Sequence, residues 1–163
     1  MPIRANSITP VIIETLYGEA LSLAEEARAA FERSGALGDA GSAASRKANG
    51  AASGAQIALS CEALRTTTRM MHVLAWLLNH RAYFAGELSE FQLRRHGGLT
   101  GAQPDSMPAS LALLDPAAAQ VVERSKAFYA RIERLDLTWR VQGAESSHAV
   151  QSLRTRIGQS FAN

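Results

Sequence analysis

Cysteine is nearly absent from this 163-residue sequence. Cys61 stands alone, so no disulfide forms within the chain, which suits a reducing compartment. Long apolar runs are missing too. The longest, Met70 to Leu78, is interrupted by His72 and falls far short of the roughly 20 residues needed to span a bilayer. The opening residues, Met1-Pro2-Ile3-Arg4-Ala5-Asn6, hold no apolar core of signal-peptide length. These absences predict a soluble chain in the cytoplasm. Charge of one sign is also scarce: 17 Lys+Arg face 15 Asp+Glu, a net +2. The pI near 9.0 therefore marks no nucleic-acid surface unless the charge is clustered.

The motifs of catalysis are equally thin. His72 and His80 are eight positions apart, too far to share an ion without further ligands, and no Cys-x-x-Cys or His-Glu-x-x-His is present. No Gly-x-Ser-x-Gly elbow or P-loop occurs. The inward Glu and Glu-x-x-His pairs of a di-iron bundle are missing as well. We read no enzyme, cofactor or metal site here. Arg94-Arg95-His96 and Arg154 with Arg156 are the local basic clusters, and no helix-turn-helix or aromatic stacking platform accompanies them.

What is present is helix. Thr9-Pro10 opens the first, a good cap followed by proline at the first helical position. Ile13, Leu16, Ala20, Leu23, Ala24, Ala27 and Phe31 form its apolar stripe, the glutamates Glu14, Glu25, Glu26 and Glu32 fall on its solvated side, and Gly35 stops it. Residues 35–52, rich in Gly, Ala and Ser, read as a mobile connection. The second helix spans about Gly54 to Ala85. Ile57, Cys61, Leu64, Thr68, Met71, Ala75, Leu78 and Ala82 alternate spacings of four and three, a heptad seam on which Cys61 is expected to be buried. A second apolar face lies opposite: Leu59, Ala63, Met70, Val73, Leu74, Leu77 and Phe84. Between the two runs a polar wedge of Glu62, Arg65, Arg69, His72, Trp76 and His80, in which Glu62 reaches Arg65 and Arg69 takes a partner from the first helix or a second subunit. A helix apolar on two opposed sides predicts a homodimer, with Met70, Val73, Leu77 and Phe84 as interface candidates.

Ser89-Glu90-Phe91-Gln92 starts a short helix that ends at Gly97-Gly98, and residues 97–114 read as a loop. Asp115-Pro116 opens the third long helix, whose stripe runs Ala118, Val121, Val122, Ser125, Phe128, Tyr129, Ile132, Leu135 and Trp139, with Gly143 as its expected stop. The predicted fold is an all-α three-helix bundle, a single domain with a core over about 9–142 and a mobile tail over 143–163. Val150, Leu153, Ile157 and Phe161 of that tail are its candidate recruitment residues.

The stretch Glu62-Ala63-Leu64-Arg65-Thr66-Thr67-Thr68-Arg69-Met70-Met71, with Trp76-Leu77-Leu78, Arg81-Ala82 and Gly86-Glu87, resembles the signature helix of the RcdA family of protease adaptors, the regulators of CtrA degradation. The likeness is tight over about 26 residues, and beyond them only the helix layout agrees. It implies a dimerising three-helix bundle that delivers substrates such as CtrA to the ClpXP protease with CpdR and PopA-like partners, at a cell pole in some cases. Arg65, Thr67, Arg69, Trp76 and Arg81 are the residues that carry over on motif identity, as candidates for partner contact or structure. The long Gly/Ala/Ser connection and the Pro-containing loop depart from the family pattern. The alternatives are a nucleic-acid-associated regulator and a helical bundle that binds a small molecule.

Overall fold

A computed structural model describes residues 8–35, 53–101 and 105–160. They form an all-α bundle of five helices: α1 (Pro10–Arg33), α2 (Ser53–Phe84), α3 (Glu90–His96), α4 (Pro108–Leu111) and α5 (Pro116–Ser160). The three long helices pack pairwise against one another, as the apolar stripes predict. The Gly/Ala/Ser connection at 36–52 lies outside the described residues.

Local chemistry sets the boundaries. The Thr9 hydroxyl accepts from the Ile12 amide (3.3 Å) ahead of Pro10. Gly86, at φ +79°, ends α2 by turning left-handed, so that the Gly86 amide reaches the Tyr83 carbonyl and the Glu87 amide reaches that of Ala82. Ser89 and Gln92 form a reciprocal capping box on α3. Asp115 caps α5 by accepting from the amides of Ala117 (2.9 Å) and Ala118 (3.0 Å). Its other carboxylate oxygen accepts from Ser34 at the end of α1, joining two helix ends.

Two expectations need correction. Gly143 does not stop the last helix, which continues through it to Ser160. No proline follows Gly143, and the next residues are tolerant of helix, so one glycine costs only about 1 kcal/mol. The tail is therefore helical over 144–160. The loop at 97–114 also contains α4, which starts at Pro108 and was not anticipated.

The core has two parts. One gathers Ile13, Leu16, Leu23, Trp76, Leu77 and Ile132; the other gathers Ala27, Ala30, Phe31, Leu59, Val121 and Val122. Small residues on α1 (Ala20, Ala27, Ala30) let α2 and α5 approach closely, while Phe31 fills the end of the stack.

Candidate functional site

The orientation of α2 decides what the chain presents to its surroundings. Its innermost stripe is Glu62, Thr66, Arg69, Val73, Trp76 and His80, all buried, at spacings of four and three. Most of these belong to the polar wedge, so the wedge points into the bundle and not along its edge. Met70, Val73 and Leu77 flank it in the core, and Phe84 packs against the same cluster. They are not an exposed interface, which corrects the assignment made from periodicity.

The heptad seam is the face left outside. Ile57, Leu64, Met71 and Leu78 are 59, 69, 62 and 47% exposed. Alternating with them are Cys61 and Ala75, also exposed, and Thr68 and Ala82, partly so. Cys61 is therefore a surface thiol, contrary to expectation. Large residues recur every seventh position and small ones fill the places between, a ridge with regular notches about 32 Å long at 1.5 Å per residue.

The wedge stays inside because its polar groups find partners there. Glu62 accepts from Ser106 Oγ (2.5 Å) and from Arg65 (2.5 Å), tying α2 to the loop before α4. Arg69 donates to Ser125 Oγ on α5 (2.7 Å), and Ser125 in turn donates to the Val122 carbonyl. Burial pushes the Arg69 guanidinium below its ordinary value, opposed by the charges of Glu62, Asp105 and Glu123. Its partner is thus on the third long helix, not on the first helix or a second subunit. Trp76 donates its indole N–H to Asp136 on α5 (2.9 Å).

Of the residues carried over by motif, Arg65, Arg69, Trp76 and Arg81 make contacts within the chain. Arg81 donates to Glu14 of α1 (2.6 Å) and lies 4.4 Å from the centroid of the Tyr17 ring. Glu14 raises the Arg81 guanidinium further above its ordinary value. Thr67 alone among them is exposed. The first helix's glutamates are also less idle than solvation suggests, since Glu19 pairs with Arg131 (3.0 Å) and Glu26 with Arg124, both on α5.

No sequence motif marks Ser106, Ser125 or Asp136 as a partner. Ser125 sits on the predicted stripe of α5, and Asp136 falls four residues after Ile132 on the same face; a polar residue in an apolar register was the available signal. Ser106 lies in a loop with no such register. Leu153 and Ile157 are exposed on the distal part of α5. The Val150 side chain and Phe161 lie outside the described residues. Among the described residues no three of His, Cys, Asp or Glu converge as metal ligands, and no helix is long and apolar enough to cross a membrane.

The chain belongs to the DUF1465 family. That family, described as proteins of unknown function, matches residues 4–161, so all five helices and the ridge fall within it. No curated protein and no solved structure matches the chain.

Proposed function

We propose that the chain is a self-associating helical adaptor without chemistry of its own, delivering substrates such as CtrA to the ClpXP protease in the bacterial cytoplasm with CpdR- and PopA-like partners. The RcdA-like signature at 62–87 supports the adaptor identity, and polar placement in the cell belongs to the same proposal. The observation that carries the self-association is the exposed ridge of Ile57, Leu64, Met71 and Leu78. A regular heptad on an already folded bundle is a coiled-coil surface lacking its second strand. A second copy supplies matching notches, and burying each half-exposed large side chain there stabilises the pair by about 1–2 kcal/mol.

The solution mass of the full chain at micromolar concentration tests the pairing. A dimer is expected, with Leu64→Glu and Met71→Glu giving folded monomers; a wild-type monomer removes the pairing. Cys61 reports the direction. In a parallel pair two Cys61 thiols meet and cross-link on oxidation, whereas an antiparallel pair centred on the ridge keeps them about 20 Å apart. The adaptor reading is tested separately, in a reconstituted ClpXP reaction with its partners and CtrA. Added chain is expected to speed degradation, and alanine at Val150, Leu153, Ile157 and Phe161 to abolish the gain. An unchanged rate with wild-type chain rejects the adaptor, whatever the mass shows.

A further inference from the structure

The exposed seam of α2 is ordered by size as well as by hydrophobicity. Its large residues, Ile57, Leu64, Met71 and Leu78, stand seven apart, and the small Cys61, Thr68, Ala75 and Ala82 stand seven apart between them. All four large side chains are exposed, and none of the four small positions is buried. No described element of the chain covers this strip. None of its eight residues is charged. Beside it Ser60 and Thr67 are exposed and uncharged, and the Arg65 guanidinium is held by buried Glu62 (2.5 Å). Such a strip suits another apolar helix and offers little to a phosphate.

Two copies can meet across the seam in two ways. Helices running in the same direction about a two-fold axis put each residue opposite its own copy. Leu64 then faces the partner's Leu64, and Ala75 faces the partner's Ala75. The large layers hold the helices apart, and the small layers between them are left as voids that cost stability.

Reversing one helix changes which residues meet. With the axis level with the midpoint between Thr68 and Met71, Ile57 meets the partner's Ala82 and Cys61 the partner's Leu78. Leu64 meets the partner's Ala75, and Thr68 the partner's Met71. Every layer then holds one large and one small residue, and all eight seam positions are used. A slide of one heptad either way keeps large on small but strands two of the eight outside the contact. Even layers let the axes approach to the close end of the roughly 8–10 Å range of packed helices. Run backwards, the seam is its own complement.

We propose that two copies of this chain pair through α2 in opposite directions, on the register that sets each large seam residue against a small one. This rests on the self-association proposed above and adds its direction and register. It also fixes where the distal helices point. The α2 and α5 helices run the same way, since Arg69 bonds Ser125 and, further along both, Trp76 bonds Asp136. The last turns of α5 therefore project past the end of α2 at Phe84. In the antiparallel pair the two projections leave from opposite ends, each carrying its own Leu153 and Ile157 to a separate partner molecule. A parallel pair would set them side by side.

Disulfide trapping in the full chain tests direction and register together. The axis lies two residues past the middle of the ridge, so the two Cys61 thiols sit about 25 Å apart along the helices, as do the two Leu78 positions. Cys61 instead lies opposite the partner's Leu78, within reach of a disulfide. Leu78→Cys, which keeps Cys61, is expected to become a covalent dimer with oxidised glutathione. Within one chain those two positions are too far apart on α2 to bond. The wild type and Cys61→Ser/Leu78→Cys, each with a single thiol, are expected to cross-link at least about tenfold less. Equal cross-linking of either single-thiol protein would overturn the direction. No cross-link in any of the three, with a dimeric mass, would overturn the register and leave self-association standing. A monomeric mass removes both. Spin labels at Thr155→Cys in the Cys61→Ser background read the two ends, since Thr155 is exposed on distal α5. A separation beyond about 60 Å is expected, and a shorter one would put both projections at one end and overturn the proposal.

Discussion

The indole N–H of Trp76 and the carboxylate of Asp136 meet at 2.9 Å across the α2–α5 contact, both buried. The same carboxylate receives the Leu99 amide (3.4 Å) and Arg140 (2.7 Å), so one side chain joins two helices to the segment after α3. Asp136→Ala leaves the indole without its acceptor and the partly buried Leu99 amide without its own. The expected loss is about 3 kcal/mol, measured by urea unfolding. A loss below about 1 kcal/mol would mean that water replaces the carboxylate.

The two apolar faces of α2 make opposite predictions. Leu77 is fully buried, and Leu77→Ala is expected to cost about 2–5 kcal/mol. Leu64 is mostly exposed, and Leu64→Ala is expected to change the stability of the isolated chain by no more than about 0.5 kcal/mol. Unfolding at submicromolar concentration, where pairing does not contribute, separates the two. Equal losses would contradict the orientation of α2.

That orientation marks the limit of what the sequence made legible. Helix starts and the stripes of α1 and α5 follow from capping residues and from a single apolar face, and Thr9-Pro10, Asp115-Pro116 and the Ile13–Phe31 stripe all appear where expected. For α2, periodicity reveals two apolar faces and does not say which is inside. The stricter pattern, the 57–82 seam, reads as core because regular spacing is the usual mark of burial. The choice depends on partners far away in the chain: Ser106 for Glu62, Ser125 for Arg69 and Asp136 for Trp76. Hydrophobicity along one helix does not encode those pairings. Gly143 misled for a related reason, since a glycine stops a helix only when the chain beyond it prefers to turn. The unpartnered nitrogens of His80 and Trp139 left little trace, because the two residues read as flank and stripe and the orphaned atoms emerge only from three-dimensional packing.

Arg69 offers a direct test of the buried network. Its bond to Ser125 Oγ is enclosed, and Ser125→Ala removes the hydroxyl without adding bulk. One guanidinium N–H is then left without its acceptor in a dry site, at an expected cost of about 1–3 kcal/mol in chemical denaturation. Ser110→Ala, on a partly buried hydroxyl of α4, serves as the comparison and is expected to cost less than about 0.5 kcal/mol.

Cys61 separates the ridge from the core chemically. An exposed thiol in the folded chain is expected to react completely with a disulfide reagent under native conditions, as fast as in urea to within about tenfold. Protection of the wild-type thiol that disappears in Leu64→Glu would place it in a contact between copies. Protection that persists in that variant would return it to the interior.

His80 gives the stability a pH dependence of known sign. Burial lowers its titration below the ordinary 6.5, with the Trp76 carbonyl and Asp136 pulling the other way and the Arg140 guanidinium close by on Asp136. Above that value both the folded and unfolded chains carry a neutral imidazole, and the group contributes no slope. Below it the unfolded chain takes up a proton that the folded chain refuses, so stability falls as the pH drops from about 6.5 toward the folded value and levels off beneath it. Urea midpoints at pH 7.5, 6.0 and 5.0 measure this in the wild type and in His80→Gln. The wild type is expected to lose more stability across that range than the variant, because the variant keeps a polar side chain that does not titrate. Parallel loss in both would assign the dependence to other groups and leave His80 free to protonate in the fold.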